Sequence, residues 1–427
     1  MSRPKVIAGT LAIASVLLAS SIALAQQVTL DVLYANPGFQ KFHDAVAEEY
    51  MKRTPNVKIQ FRAPAPTYDD GHQTMLRQAV TNQLPDINFS GYHLLTELAE
   101  TLAKRNQIVD LAPMLAAEPQ AWRDANYSDR ILALGRVGGK LYGMAFNAST
   151  PIIYLNEELV RKGGGDPAKF PDTWDGVIDL AKRIKAASPD VDGIAYNVHV
   201  WPDNWLWNAM VLQNGGKMLN DAGTASAFGG EVGLKALRTF RRFVTDGGMQ
   251  LIDFDQSRQQ FSAGKIGIFI DSPARLRLVL DTIGSRFTLR TVTFPIDNKA
   301  NGGIPTGGNA AVVTARDPAK QKAAWDYIKF ITGPEAQKIV VETTGYLPTN
   351  RRALEPQMLG KFYDANPNFR TVALQMDRSL PWDSYPGGNA VRIWRAQRDI
   401  ITSVMRGETT PEAGLQRLVS ETNALIK

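Results

Sequence analysis

The stretch GKLYGMAFNASTPIIYLNEEL, residues 139–159, decides how the rest of the chain is read. Its opening Gly-Lys-Leu-Tyr-Gly predicts a tight turn between two short strands, because glycine reaches the positive φ that a two-strand reversal needs. The apolar run that follows is broken by Asn147, Ala148, Ser149, Thr150 and Pro151, and resumes with Ile152, Ile153, Tyr154 and Leu155. A strand that leaves one core and enters another has this profile. It predicts a hinge, with Asn147 and Ser149 facing a cleft. A single strand carrying an Asx or Ser/Thr turn gives the same pattern.

A chain of 427 residues, 44% of them hydrophobic, exceeds what one small core organises and predicts two domains. Arg3 and Lys5 precede an alanine-rich apolar run that ends in Ala23-Leu24-Ala25, which reads as a secretory signal cleaved after Ala25. Thr10, Ser15, Ser20 and Ser21 dilute that run below what a membrane anchor needs. The chain has no cysteine, which excludes disulfides, thiolate metal sites, a catalytic thiol and a lipid-modified cysteine after the signal. An exported protein without a lipid tether is kept near its membrane by an outer barrier, which places it in the periplasm. Net charge is +6, two units of which (Arg3 and Lys5) leave with the signal. Without a dense basic block, nucleic acid is not an expected partner. The four histidines, at 43, 72, 93 and 199, lack metal-ligand spacing, and no cofactor motif is present.

In chain order, an alternating strand from Val28 to Tyr34, a helix over 39–52 and a second strand over 56–61 make a β-loop-α-β opening. In sheets wound this way ligands lie beyond the carboxyl ends of strands, where Tyr34 and Gln40 fall. A third strand ends in Ser90, Gly91 and Tyr92, again at such an end. Thr173 or Asp172 caps a helix over 173–187, and a strand at 193–197 delivers Trp201, Trp205 and Trp207 amid Asp203, Asn204 and Asn208. Spacing of four puts Trp201 and Trp205 on one helical face as a platform for sugar C–H faces, while Trp207 reads as core. The strand at 264–273 ends in Ser272, which either faces a cleft or simply caps the next helix. Gly307, Gly308 and Asn309 in GGIPTGGNAAVV mark a second crossing, where glycine lets backbone approach a ligand. TTGYLPTN, with Tyr346, marks a third.

Taken together, YGMAFNASTPIIYLNEEL, FPDTWDGVIDLAKRI, GKIGIFIDSP, PTGGNAAVV, GPEAQ and TGYLPTN resemble, in one order over the whole mature chain, the bacterial extracellular solute-binding proteins of carbohydrate type. FNASTPIIYLN and TGYLPTN look most like the glycerol-3-phosphate-binding members. The resemblance implies an α/β fold of two discontinuous lobes, here 26–147 with 308–345 and 148–307 with 346–427. It implies a non-enzymatic receptor, monomeric, that closes by hinge motion on a sugar, glycoside or glycerol-phosphate ligand and delivers it to an ABC permease with a cytoplasmic ATPase. By matching position it implies ligand contacts from Tyr34, Tyr68, Tyr92, Ser149, Trp201, Ser272, Gly307, Gly308, Asn309 and Tyr346, and an arginine in RIWR, either Arg392 or Arg395. Two departures are visible: Tyr34 stands where those members carry tryptophan, and the acidic residue usual near Tyr92 is missing. A secreted glycoside hydrolase using carboxylates among Asp203, Asp271 and Asp383 is the rival reading.

Overall fold

In the computed structural model, residues 27–426 are described; the signal segment falls outside them. A five-stranded sheet has the order Val57–Phe61, Val28–Leu33, Ile87–Gly91, Gly307–Val313, Met144–Ser149. Its first three strands are parallel, and Gly307–Val313 runs antiparallel to both neighbours. A four-stranded sheet has the order Leu289–Val292, Ile152–Asn156, Ile266–Asp271, Asp192–Tyr196. Both are near-continuous apolar runs where helices cover both faces, as in Ile152–Asn156, every residue of which is buried.

The helices follow from capping and apolar stripes. Thr173 accepts from the Gly176 amide and starts Trp174–Ala187, whose Val177, Ile178, Leu180, Ala181 and Ile184 are buried against the second sheet. Asp317 caps Pro318–Ile331, which lays Ala324, Trp325, Ile328 and Ile331 on the first. Among the described residues no helix is long and apolar enough to cross a membrane.

The chain passes between the sheets at three places, and these lie side by side. Met144–Ser149 belongs to the first sheet and Ile152–Asn156 to the second, with only Thr150 and Pro151 between them. Ala148 pairs with Gly308 on one side and with Leu347 on the other. The amide of Leu347 donates to the Ala148 carbonyl at 2.8 Å. Gln337 locks the group by donating to the Phe146 carbonyl at 2.8 Å while its own carbonyl accepts from the Thr349 amide at 2.8 Å. Gln375 does the same for the polar knot, donating to the Pro151 carbonyl at 2.8 Å.

The turn expected at 139–143 sits one step earlier. Gly138 and Gly139, both at positive φ, close a two-residue hairpin whose second strand is Lys140–Leu141. The tryptophan helix also differs: it begins at Trp205, so Trp201 lies in the preceding loop rather than a turn away on the same helix. Asn204, the last residue before that helix, is tied by its side-chain amide to the Asp383 carbonyl and accepts from the Trp382 indole at 2.8 Å.

Candidate functional site

A cavity of about 550 Å3 lies where the crossings meet the loops beyond the strand ends. From the first sheet's side come the loop at Asn36–Phe39 and the start of helix Tyr68–Thr81. From the second come Trp201, Asp203, Trp205 and the segment Asp271–Arg275, with Ser149, Gly307, Gly308 and Tyr346 supplied by the crossings.

One wall is aromatic. Trp201 and Trp205 stack at 5.9 Å and 30°, Phe254 meets Trp201 edge-on at 4.7 Å, and Trp382 leans on Trp205 at 6.1 Å. Trp205 is fixed by its indole N–H, which donates to the Pro305 carbonyl at 3.2 Å. Trp382 is fixed from behind by the His93 ring, stacked at 3.8 Å. Gly307 is glycine because of this wall: a Cβ there would stand 2.8 Å from the Trp205 ring and 2.9 Å from the Ser149 hydroxyl. Gly308, at φ +120°, has no room either, since a Cβ would lie 2.3 Å from the Asn147 carbonyl. The two glycines thus let protein approach protein, not backbone approach ligand.

The opposite side is polar. Tyr68 accepts from the Asn309 side chain at 2.9 Å and lines the cavity with Tyr346. Burial raises both phenols above their ordinary range, so both stay neutral donors. Ser272 accepts from the Ala274 amide at 3.2 Å and lines the cavity as well, so capping and facing the cleft are one arrangement. Asp271 accepts from the Ser272 amide at 2.6 Å and lies 3.5 Å from Arg258, with burial still pushing its carboxyl up.

Asp203 is the most perturbed carboxyl. Burial first, then the nearby Asp69, pushes it from 3.8 up to about 8, while the Trp205 amide opposes that by donating to it at 3.1 Å. Below the ordinary carboxylate range, folded and unfolded chains both hold this proton. As pH rises from 3.8 toward 8, the unfolded chain ionises first, so stability falls through that window and then levels. Asp203→Asn removes the ionisation. Thermal melts of the two proteins are expected to diverge between those limits, with the variant's relative melting temperature rising with pH; parallel profiles contradict this assignment.

Several expected residues lie elsewhere. Tyr34 is packed in the first core, stacked on His43 at 4.1 Å and edge-on to Phe61, because the strand end carrying it is roofed by helix Gln40–Arg53. Ser90 is inside a strand paired with Ala310, its hydroxyl turned to the Gly91 carbonyl. Asn147 and Asn309 are buried behind the cavity wall and hold the sheet: the Asn309 amide donates to the Asn147 side chain at 3.1 Å, and Tyr92 donates to the Asn147 carbonyl at 2.7 Å. Tyr92 instead borders a second cavity, of about 740 Å3, which shares only the Trp382 wall with the first. Arg392 and Arg395 are exposed, because helix Ala390–Arg406 buries Ile393, Trp394, Gln397, Ile400 and Ile401 and leaves both arginines off that stripe. Replacing both with alanine is expected to leave solute affinity within about twofold by calorimetry, as for a surface change away from any site.

The guanidinium in the cavity is Arg275, and Phe39 and Trp382 are among the lining residues that the sequence does not single out. Arg275 follows Ser272 by three positions at the same polar switch, so the segment carried the signal. Trp382 is an aromatic residue in the Pro- and Gly-rich segment 381–389, where nothing in the local pattern marks it as a ligand contact.

Among the described residues no group of three or more His, Asp or Glu is placed to hold a metal ion. Asp383 borders the second cavity, so of the three carboxylates in the hydrolase reading only Asp203 and Asp271 share a site.

A profile of the bacterial extracellular solute-binding proteins matches residues 45–371. The sn-glycerol-3-phosphate-binding periplasmic protein UgpB of Agrobacterium fabrum is 24% identical over 297 residues, 68% of either chain. Its namesake of Escherichia coli is 24% identical over 298 residues, again 68% of either chain. Among solved structures, UgpB from Mycobacterium tuberculosis in complex with glycerophosphocholine overlays with TM-score 0.81 at 16% identity, covering 93% of this chain and 98% of that one. The GacH receptor of Streptomyces glaucescens, solved unliganded and with acarbose, overlays with TM-score 0.76 at 17% identity, covering 94% and 98%. The fold is therefore that of the two-lobed binding proteins, and the chain belongs to the bacterial extracellular solute-binding protein family.

Proposed function

We propose that this protein is the periplasmic receptor of an ABC importer and that the 550 Å3 cavity takes up a small polyol phosphate, glycerophosphodiester or glycoside. The observation that carries this is the origin of the walls: groups from both sheets and from all three crossings face one space. A solute touching both lobes binds the closed form better than the open one and shifts the population by that difference. The lobes are proposed as 26–147 with 308–345 and 148–307 with 346–427. Closure at the three adjacent crossings then presents a two-lobed surface to the permease, so that occupancy is read as shape. Relatives named for sn-glycerol 3-phosphate and neighbours solved with glycerophosphocholine or acarbose support solutes of this size and polarity.

The receptor works as a monomer and binds without turnover. Asp271 favours this, being held by Arg258 and the Ser272 amide rather than poised on a substrate. A thermal-shift screen of neutral oligosaccharides, glycerol phosphates and glycerophosphodiesters, with chromatography of the recovered solutes, tests it. A saturable shift with the solute recovered intact is expected. Hydrolysis products in step with protein concentration would replace the receptor with the hydrolase.

A further inference from the structure

We propose that Arg275 is the anion anchor of the cavity, and hence that the transported solute carries an oxyanion group, phosphate-like in shape, on a small polyol or glycoside. This rests on reading the cavity as the solute site.

The first ground is how Arg275 is held. Its guanidinium carbon lies 4.4 Å over the Phe39 ring, and the neighbouring residue is Gly38, where a Cβ would collide with the guanidinium at 2.2 Å. A guanidinium resting on an aromatic face keeps its N–H edge free to pair with two oxygens of an oxyanion. The second ground is what Arg275 lacks. The carboxylates around it are engaged elsewhere: Asp255 takes the Arg258 guanidinium at 2.8 Å, and Asp271 lies 3.5 Å from Arg258 and takes the Ser272 amide. Among the described residues the Arg275 side chain has neither a hydrogen bond nor an ion pair, although burial weighs against its charge. A half-buried cation without a protein partner is open to an anion, and a ligand oxyanion supplies what the protein does not.

The third ground is the company it keeps. Ser272 uses its oxygen as a cap and so has its proton left to donate. Tyr68 accepts from the Asn309 side chain, which leaves its proton to donate as well. Arg275, Ser272 and Tyr68 thus offer donors to one cavity. Asp203, Trp201, Trp205 and Trp382 line the same cavity, where hydroxyl groups and apolar C–H faces would be received. Phe39 and Gly38 come from the opposite lobe, so an anion seated on Arg275 would also sit at the closure seam.

Calorimetric titration of the purified protein with sn-glycerol 3-phosphate, glycerophosphocholine, glycerol and maltose tests the assignment. Wild type is expected to bind at least one of the two phosphates. Arg275→Gln is expected to weaken that binding by about 100-fold or more, as for the loss of one partner of a buried charge pair. Arg275→Lys should restore part of it, and the Gln variant should remain folded by circular dichroism. An equal loss for phosphates and neutral solutes would make Arg275 a closure contact and overturn the anchor, as would a Gln variant that keeps its phosphate affinity. Wild type binding maltose but neither phosphate would overturn the anchor and leave the receptor reading standing. Wild type binding none of the four would count against both.

Discussion

Gly308→Val is expected to lower the unfolding free energy by about 3 kcal/mol or more, or to prevent accumulation of folded protein. Two independent penalties meet at this residue. Its φ of +120° is open to glycine and strained for any branched side chain, and a Cβ would stand 2.3 Å from a backbone carbonyl, which cannot swing aside as a side-chain tip can. The carbonyl belongs to Asn147, on the strand that carries the first crossing, so relief by backbone movement would unpair Ala148 from its partners. A lower urea midpoint followed by circular dichroism measures the effect. Gly223→Ala is the control for positive φ alone: it also has φ above zero, at +68°, but a Cβ there meets nothing within 4 Å. It should lose only about 1 kcal/mol. Equal losses at the two sites would show that the crowding at the crossing has no energetic weight.

Trp205→Ala is expected to remove both stability and binding, with about 3–5 kcal/mol lost from the fold. The indole is almost wholly buried, its N–H has a partner in the Pro305 carbonyl, and its ring is what Trp201, Trp382 and Gly307 are fitted around. Trp207, two residues on, separates the two effects. It is fully buried against Phe228 and Phe240, away from the cavity, and its indole N–H has no partner among the described residues. Trp207→Phe gives up a donor that bonds to nothing and should change stability by less than about 1.5 kcal/mol, leaving affinity intact. Trp205→Phe breaks a bond that exists and removes part of a cavity wall. Comparing the two phenylalanine variants by denaturant midpoint and by solute titration distinguishes a ligand platform from core packing; loss of affinity in Trp207→Phe but not in Trp205→Phe would reverse their roles.

The hinge was legible because its signal is local. A polar knot between two fully apolar runs can be read from eleven residues, and Thr150 and Pro151 do stand between two sheets. That Ala148 would pair with both Gly308 and Leu347 was not legible, because those partners are far away in the chain and nothing near Ala148 encodes them. The glycines at 307 and 308 read as places where backbone approaches a ligand, whereas what approaches them is an indole and a carbonyl.

The arginines fail for a related reason. Two arginines three apart on a helix look like a binding feature until the buried stripe of that helix is placed, and the stripe puts both outside. Arg275 reads as ordinary first-turn surface of the helix after Ser272. Only the fold brings Gly38 and Phe39, more than two hundred residues earlier, beneath it. Tyr34 shows the opposite error: the end of a strand is a good place for a ligand contact, but the side chain there pointed into the aromatic cluster of His43 and Phe61.

In the proposed receptor one solute is gripped from both lobes. Hydrogen exchange with and without a solute that shifts the melting temperature tests it directly, since the cavity walls come from segments far apart in sequence. Simultaneous slowing at residues 36–39 and 67–70 on one side, at 201–206 and 272–276 on the other, and at 147–149, 307–309 and 346–348 between them is the expected result. Protection confined to a single lobe, or centred on the neighbouring cavity beside Tyr92, would contradict it.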